Sequence, residues 1–331
     1  MFCNKRGSQI LLEPLSEKRH RLARIRVLNS ARLYSDAGIF YTMSVVSIVH
    51  AQAENVPDAV NKAVELAGGL QIDEADSVVI KPNAKNQAPP GYGIVTDVAV
   101  IEPLVEICKE RGGRVSIADG AAYPSGSYHT MSAFEAMGVT KLAQKGGLEL
   151  VDLNSYDSID LDVPNGLVLD RVRVGRAVTE ADVLLNVPVL KTHRATLLSN
   201  CVKNIGVGVA CREEKKRLHR LGIDEALLDV YSVVRPTFNV VDALVCLEGD
   251  GPNYPPGKPR PLGLVLAGED AVAVDAVCAR LIGLDPMEVK HLSLAHERGI
   301  GNADLDQIEI VGERLEDVST IFLRPSTFAR D

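Results

Sequence analysis

From residue 44 onward, short apolar runs alternate along the chain with longer stretches that have the periodicity of helices. The runs at residues 45–49, 77–80 and 115–118 predict buried strands, whereas residues 56–67 and 98–111 predict helices, each followed by a Gly-Gly pair. Parallel strands require long crossover connections of this kind, since a tight turn joins only antiparallel neighbours. The pattern therefore predicts an α/β fold whose sheet is mainly parallel and doubly wound.

The rest of the sequence continues this alternation around irregular insertions. Residues 121–180 are the least regular part, and the loose alternation at residues 160–174 predicts an antiparallel hairpin. Residues 249–261 contain five prolines and predict a long loop. Further strands are predicted at residues 148–152, 182–186, 239–242, 262–267 and 308–311, and further helices within residues 194–235, 270–282 and 285–299.

The length of 331 residues suits one large α/β domain with insertions, or two domains. We expect a single domain at residues 43–315, because the first strand begins directly after Met43, and a C-terminal tail at residues 316–331. Residues 1–42 hold eight Lys or Arg and three acidic residues without a long apolar run. We interpret them as a disordered tail or the product of an upstream start codon rather than a targeting peptide.

The overall charge and the missing motifs argue against several classes of protein. The net charge is −8 and the chain has no Trp, whereas non-specific nucleic-acid binding needs a basic surface and often stacking rings. No run approaches the ~20 apolar residues of a membrane helix. The dinucleotide-binding GxGxxG, the P-loop, the GxSxG elbow and the HExxH zinc motif are all missing. We therefore expect neither a nucleic acid nor a membrane as a partner.

The six cysteines are scattered and form no CxxC pair. In a chain of this length, such spacing predicts the reduced thiols of a cytoplasmic protein rather than a disulfide framework. The simplest interpretation is that each cysteine is a small buried apolar side chain. Cys201 and Cys211 flank the pair Lys203-Asn204, however, so a role as ligands of a metal or a cluster stays open.

Polar side chains follow four of the predicted strands at the points where the strands end. These groups are Lys81-Pro82-Asn83, Asp119-Gly120, Lys191-Thr192-His193 and Asp242. Right-handed crossovers place the carboxyl ends of parallel strands at one edge of the sheet, where open α/β sheets bind their ligands. We therefore predict that these groups surround one site, to which Lys203-Asn204 also contributes.

The predicted site suits a small anionic molecule, because ammonium groups bind phosphate or carboxylate as point charges. We predict His193 and Lys191 as catalytic residues, with His193 as a general acid or base near neutral pH. An orienting histidine bonded to a backbone carbonyl is the alternative for His193. The predicted substrate-binding residues are Lys81, Asn83, Thr192, Lys203 and Asn204.

Acidic residues near the same edge suggest a divalent metal as a cofactor. Asp119, Asp242 and Glu248 offer carboxylate oxygens of the kind that hold Mg²⁺ or Ca²⁺. Glu248 stands in a Gly-rich segment after a strand, which is also ordinary loop chemistry, so both interpretations stay open. An iron–sulfur cluster is the less favoured cofactor.

Two further segments near the site have alternative interpretations. The charged run at residues 212–220 predicts a helix whose polar side faces solvent, or whose basic side covers an anionic ligand. Gly206 and Gly208 follow Lys203-Asn204 and would allow the backbone to approach a ligand closely.

Seven motifs follow one another along residues 45–312. They are Val78-Val-Ile-Lys81-Pro-Asn83, Ala118-Asp119-Gly120, Asn186-Val-Pro-Val-Leu-Lys-Thr-His193, Val202-Lys203-Asn204, Val241-Asp242-Ala243, Glu248-Gly-Asp-Gly-Pro252 and Ala267-Gly-Glu-Asp-Ala-Val-Ala-Val-Asp275. This ordered set resembles the family catalogued as domain of unknown function 362. By this resemblance, the family's characteristic positions are Lys191, Thr192, His193, Lys203, Asn204 and Asp242. The family has no settled reaction, and many relatives carry an appended ferredoxin-like segment with iron–sulfur motifs that this sequence does not show.

Three functions are consistent with the sequence. The leading hypothesis is an enzyme that acts on a small anionic substrate with assistance from a divalent metal. The second is a redox or cofactor-handling protein that works with a ferredoxin-like iron–sulfur partner, which Cys201, Cys211 and Cys246 motivate. The third is an anion-binding module without catalysis.

Overall fold

The structure is a computed structural model that describes residues 33–35, 38–40, 43–121, 129–155, 157–252 and 257–329. The chain divides into two units, residues 1–42 and 43–331. In the first unit, the described residues form two short antiparallel strands, β1 (Leu33–Ser35) and β2 (Gly38–Phe40). The rest of the predicted tail at residues 1–42 lies outside the described residues.

A ten-stranded sheet runs through the second unit in the order β14-β3-β13-β12-β9-β4-β5-β6, with β10 beside β12 and β11 beside β10. Most neighbouring strands are parallel, whereas β13 is antiparallel to both β12 and β3, and β11 is antiparallel to β10. The predicted mainly parallel sheet is confirmed. In chain order, the strands are β3 (Ser44–His50), β4 (Ser77–Pro82), β5 (Arg114–Asp119), β6 (Glu149–Asp152), β7 (Ser158–Asp162), β8 (Arg171–Gly175), β9 (Val183–Val187), β10 (Val189–His193), β11 (Leu197–Ser199), β12 (Phe238–Glu248), β13 (Lys258–Gly268) and β14 (Ile308–Gly312).

Helices cover both faces of this sheet, so the sheet is doubly wound. Alternate residues of one strand enter different cores: Val79 of β4 packs with the helices from α6 onward, and its neighbour Ile80 packs with α1 to α4. Burial on both faces explains why the strands are continuous apolar runs. The helices are α1 (Val56–Leu66), α2 (Val98–Glu110), α3 (Thr130–Met137), α4 (Val139–Gly146), α5 (Ala177–Glu180), α6 (Cys201–Gly208), α7 (Arg212–Leu221), α8 (Ile223–Val233), α9 (Ala271–Leu281), α10 (Lys290–Glu297) and α11 (Leu315–Val318).

Three predicted boundaries near the site were wrong. The polar group Lys191-Thr192-His193, predicted to follow the strand at residues 182–186, belongs to a separate strand, β10, which pairs with β11 and β12. The strand predicted to end at Asp242 continues to Glu248, so Asp242 lies inside β12 and pairs with Val265 of β13. The loop predicted at residues 249–261 is shorter, because β13 begins at Lys258. Pairing between β12 and β13 lengthens both strands. A short window of sequence does not contain the partner strand, so local patterns do not predict this extension.

Two segments outside the sheet complete the domain. Strands β7 and β8 pair antiparallel, which confirms the predicted hairpin. The C-terminal segment, predicted as a tail, lies against the domain: Phe322 is buried, Glu248 accepts a hydrogen bond from the Leu323 amide at 3.0 Å, and Asp250 accepts one from the Ser326 amide at 2.7 Å.

Candidate functional site

A cavity of about 490 Å³ lies where β4, β5 and β10 end, and helices α6 and α7 form its opposite wall. Because these three strands run in the same direction, their carboxyl ends meet at one edge of the sheet. Six of the predicted site residues line the cavity. They are Asn83, Asp119, Lys191, His193, Lys203 and Asn204.

The cavity wall is strongly cationic, although the whole chain has a net charge of −8. Seven Lys or Arg and two His line it, and Asp119 is the one acid among the described lining residues. Clustered charge of one sign in a cleft attracts ligands of the opposite sign. The cationic residues are Lys85, Lys191, Arg194, Lys203, Arg212, Lys215 and Lys216, with His193 and His219 beside them.

A buried ion pair supports the floor of the cavity. Lys81 Nζ lies 2.6 Å from Asp119 Oδ1, and both side chains are almost fully buried. Asp119 also accepts hydrogen bonds from the amides of Ala84 and Gly120 at 2.5 and 2.8 Å. Burial lowers the pKa of Lys81, and the charge of Asp119 opposes this shift. The one carboxylate among the described lining residues is therefore already paired, and Lys81 lies beneath the cavity instead of lining it.

Helix α6 presents Lys203, Asn204, Val207 and Gly208 to the cavity, at the spacing of one helical face. Its first two amides are not available to a ligand. Asp275 of α9 accepts hydrogen bonds from the amides of Cys201 at 2.8 Å and Val202 at 3.0 Å. Asp275, part of the last matching motif, thus caps α6 and fixes where Lys203 and Asn204 point.

Replacing Asp275 with Ala is expected to lower the free energy of unfolding by about 1–2 kcal/mol, because two buried amides lose their acceptor. The same substitution should weaken the binding of an anion at Lys203, because Asp275 fixes the direction in which Lys203 points. Asp270→Ala is the matched control: Asp270 caps α9 through the amides of Val272 and Ala273 at the opposite edge of the sheet. Urea unfolding and binding titrations should show a stability loss in both variants, and a loss of affinity in Asp275→Ala alone.

The glycines of α6 serve close packing. A Cβ atom on Gly208 would lie 2.5 Å from Lys81 Nζ, and one on Gly206 would lie 2.3 Å from the carbonyl oxygen of Leu227 in α8. Gly208 also lines the cavity, as the sequence suggested, whereas Gly206 only brings α6 against α8.

Two asparagines connect the floor to the wall. Asn204 Nδ2 donates to Asn186 Oδ1 at 2.8 Å, and Asn204 Oδ1 accepts from Lys81 and from Asn83 Nδ2, each at 3.2 Å. Asn83 Oδ1 in turn accepts a hydrogen bond from Lys191. With most of their hydrogen-bonding capacity used, Asn83 and Asn204 position the lysines more than they offer groups to a substrate.

Lys191 is a buried lysine with no carboxylate in ion-pair contact within the described part of the chain. Its Nζ donates to Asn83 Oδ1 and, at 2.7 Å, to the carbonyl oxygen of Ile94. Burial lowers the pKa of Lys191 to about 7, with a further contribution from Lys85, while Asp242 and Asp119 oppose the shift. Near neutral pH, a large share of Lys191 is therefore a neutral amine.

Two other cavity lysines are perturbed in the same direction. Lys203 Nζ donates to Thr196 Oγ1 at 3.1 Å, and burial, with Lys85 and Lys191 nearby, lowers the pKa of Lys203 well below its ordinary value. Lys215 Nζ donates to the carbonyl oxygen of Gly120 at 2.6 Å, and burial lowers the pKa of Lys215 to about 8. A cavity that holds several amines and one described acid, itself paired with Lys81, favours an anionic ligand.

Helix α7 turns one basic face toward the cavity. Arg212, Lys215, Lys216 and His219 line it, at helical spacings of three and four residues. This basic face supports the second interpretation of the charged run, in which the basic side of the helix covers the site. Lys85 and Lys215 were missed in the sequence: Lys85 follows the motif by two residues, and Lys215 lies in a run of charges whose buried face no local signal marks.

His193 has one nitrogen already engaged. Its Nδ1 accepts a hydrogen bond from the Ala195 amide at 3.1 Å, so the neutral ring carries its proton on Nε2. Burial and the neighbouring Lys203 lower the pKa of His193 well below its ordinary value. His193 is thus a neutral hydrogen-bond donor.

The Thr192 hydroxyl donates a hydrogen bond to the carbonyl oxygen of Gly249, in the loop after β12, at 2.7 Å. It therefore fixes that loop and does not line the cavity.

The acids predicted as metal ligands have separate partners. Asp119 pairs with Lys81, Asp242 accepts from the amides of Asp97 at 2.7 Å and Leu244 at 3.0 Å, and Glu248 accepts from Leu323. Within the described ranges, no three residues of His, Cys, Asp or Glu are grouped to hold a metal ion. The structure does not bring the predicted metal ligands together.

The structure is that of an α/β protein with a cationic cavity at the carboxyl edge of its sheet. Residues 78–280 match the family described as domain of unknown function (DUF362), which is more than half of the chain, so the protein belongs to this family. A thylakoid-associated protein of Synechocystis sp. is 24% identical over 272 residues, 77% of this chain and 79% of that protein. In the described part of this chain, no helix is long and apolar enough to cross a membrane.

Two solved structures are distantly similar. The lactate racemase apoprotein from Thermoanaerobacterium thermosaccharolyticum is 15% identical, with a TM-score of 0.48 over 76% of this chain. A protein from Thermotoga maritima is 14% identical, with a TM-score of 0.38 over 74% of this chain. The chain spans 62% and 59% of the lengths of these two structures.

Proposed function

We propose that this protein is an enzyme that binds a small anionic substrate in the cationic cavity and transfers protons there through Lys191. The observation that carries the proposal is the charge of the wall: seven Lys or Arg face the cavity, and its one described acid is already paired with Lys81. Burial lowers the pKa values of Lys191, Lys203 and Lys215, because a desolvated ammonium without a counter-ion is unfavourable, and a bound anion removes that cost.

The shape and charge of the cavity limit the substrate class. A volume of about 490 Å³ suits a metabolite and is too small for a macromolecule. Lys203 and Lys215, on different helices, can hold the anionic group from two sides. A phosphorylated or multiply carboxylated small molecule fits this arrangement, because several separate ammonium groups suit a ligand with several negative oxygens.

The proposed chemical roles differ from those predicted from the sequence. A general base at His193 would have to accept its proton at Nε2, which already carries the hydrogen in the neutral ring, because Nδ1 is held by the Ala195 amide. We therefore assign His193 as a donor to a substrate oxygen. Lys191, whose pKa is near 7, is matched to proton transfer at neutral pH.

The redox alternative has less support from the same structure. Cys201, Cys211 and Cys246 are buried, and burial raises the pKa of each thiol. A buried thiol with a raised pKa has little thiolate, which is the form that binds metals and reacts. These cysteines therefore do not support the proposal of a ferredoxin-like partner.

Binding of an anion is expected to take up protons, and affinity should fall as the pH rises from about 7 to 9. In the empty cavity, burial lowers the pKa of Lys203 and lowers that of Lys215 to about 8, and an anion held by these two lysines raises both. Calorimetry in buffers of different ionisation enthalpy measures the uptake. An affinity that is flat or rises over this range would contradict the proposal. The groups that act on Lys215 are Asp119, Lys81, Asp152 and Cys211.

A panel of metabolites tests the proposal directly. Phosphorylated and carboxylated compounds should raise the melting temperature, whereas their uncharged counterparts should not. The double variant Lys191→Ala/Lys203→Ala should lose this response, and retained binding in that variant would overturn the assignment of the site. Compounds that bind are then followed by NMR for conversion, since a ligand that stays unchanged would favour a binding module without catalysis.

A further inference from the structure

The hydrogen bonds of Lys191 leave its amine ready for nucleophilic attack. A neutral amine has two N–H groups and one lone pair. Lys191 Nζ has two acceptors, Asn83 Oδ1 and the carbonyl oxygen of Ile94. Both N–H groups are therefore satisfied in the neutral form, and no described residue donates a hydrogen bond to the lone pair. Since Lys191 lines the cavity, that lone pair is open to a ligand.

Burial and neighbouring cations keep a large share of the Lys191 amine unprotonated near neutral pH. The side chain is 3% exposed, with Lys85 and Lys203 among its neighbours. A desolvated lysine beside another cation is the usual arrangement of amines that attack carbonyl carbon. His193, which donates from Nε2, lines the same cavity and can polarise a carbonyl oxygen.

We propose that Lys191 forms an imine with the carbonyl carbon of an anionic aldehyde or ketone, a class that includes 2-oxo acids and phosphorylated carbonyl compounds. This inference rests on the proposed function, because the anionic group must first be held by the cavity. Lys203 and Lys215 hold that group and bring the carbonyl next to Lys191.

The step balances without an oxidant or a reductant. The lone pair of Lys191 Nζ forms a bond to the carbonyl carbon, the C–O π pair moves to oxygen, and one N–H proton is transferred to that oxygen. The resulting carbinolamine then breaks its C–O bond, and the second N–H proton leaves with the oxygen as water. The product is a C=N double bond, whose protonated form withdraws electrons from the adjacent carbon.

Lys191 is better suited to this role than the other buried cavity lysines. Lys81 is held in the ion pair with Asp119 beneath the cavity. Burial lowers the pKa of Lys203 as well, but its one described acceptor is the Thr196 hydroxyl. In its neutral form, one N–H group of Lys203 would therefore lack a described acceptor, whereas both N–H groups of Lys191 have one. Lys215 belongs to α7, and its higher pKa, about 8, leaves it mainly protonated at neutral pH.

Reductive trapping tests the proposal. The full-length protein is incubated with glyoxylate or with pyridoxal 5′-phosphate, reduced with sodium borohydride, digested and analysed by mass spectrometry. The expected result is a reduced adduct on Lys191 at far higher occupancy than on any other lysine. Lys191→Arg, which keeps the positive charge, should lose that adduct, whereas Lys141→Arg on the exposed face of α4 should keep it.

The outcomes separate this inference from the proposed function. Adducts spread over exposed lysines, or concentrated on Lys203 or Lys215 with Lys191 unmodified, would overturn the imine proposal. Protection of the cavity lysines from acetic anhydride by inorganic phosphate is measured in parallel on the same protein. Protection without trapping would leave the anion site standing and reject the imine, and the absence of both would reject the two together.

Discussion

Lys203→Met is expected to weaken anion binding by about 100-fold while it raises the free energy of unfolding by about 1–2 kcal/mol. In the empty protein, Lys203 is buried near Lys85 and Lys191, and its described hydrogen-bond partner is the Thr196 hydroxyl. Methionine fills a similar volume without a buried amine that must lose its proton in the empty protein. The same ammonium is favourable only when an anion is present, so stability and binding should change in opposite directions.

The control for this variant is Lys141→Met, which removes the same charge from the exposed face of α4. Binding calorimetry and thermal unfolding without ligand should leave the control close to the parent protein. Loss of stability together with loss of binding in Lys203→Met would contradict the account, since it would mean that the ammonium contributes to the fold rather than to the ligand site.

Asp119→Asn is expected to destabilise the protein by about 3–5 kcal/mol, because it leaves Lys81 buried without its counter-charge. Lys81 is fully buried and its Nζ lies 2.6 Å from the Asp119 carboxylate. An asparagine oxygen can still accept one of the amides that Asp119 binds, so most of the loss should come from the broken ion pair. Urea unfolding measures the change.

A double-mutant cycle separates the ion pair from other effects of these substitutions. Lys81→Met alone should also be costly, whereas Lys81→Met/Asp119→Asn removes both charges and should recover a large part of the loss. A coupling energy of about 2 kcal/mol or more is expected for a buried pair, and strictly additive losses would show that the two charges do not interact as described.

The order of strands and helices could be predicted well, because the central strands are buried on both faces and the crossover helices α1 and α2 have a clear apolar period. Residues 45–49, 77–80 and 115–118 were all assigned to strands that the structure contains. The errors arose where pairing between distant segments decides the length. β12 extends past Asp242 because its last residues pair with the first residues of β13. A loop separates these two segments in the sequence, so no local pattern indicates that they pair.

The location of the site could be predicted from the polar strand ends, whereas the protonation state and the orientation of each side chain could not be. Lys191, His193 and Lys203 were identified by position, and the structure brings them to one cavity. Their protonation depends on burial and on neighbours such as Lys85, which come together only in three dimensions. The orientation of the His193 ring depends on a single amide, that of Ala195, which no motif records.

The most direct test of the central claim is to locate a bound anion. Crystals of the protein soaked with selenate, with data collected at the selenium edge, will show where a tetrahedral anion binds. The account predicts an anomalous peak inside the cavity, within hydrogen-bonding distance of Lys203 and of Lys191 or Lys215. Selenate peaks confined to the outer surface, with the cavity occupied by water alone, would contradict it.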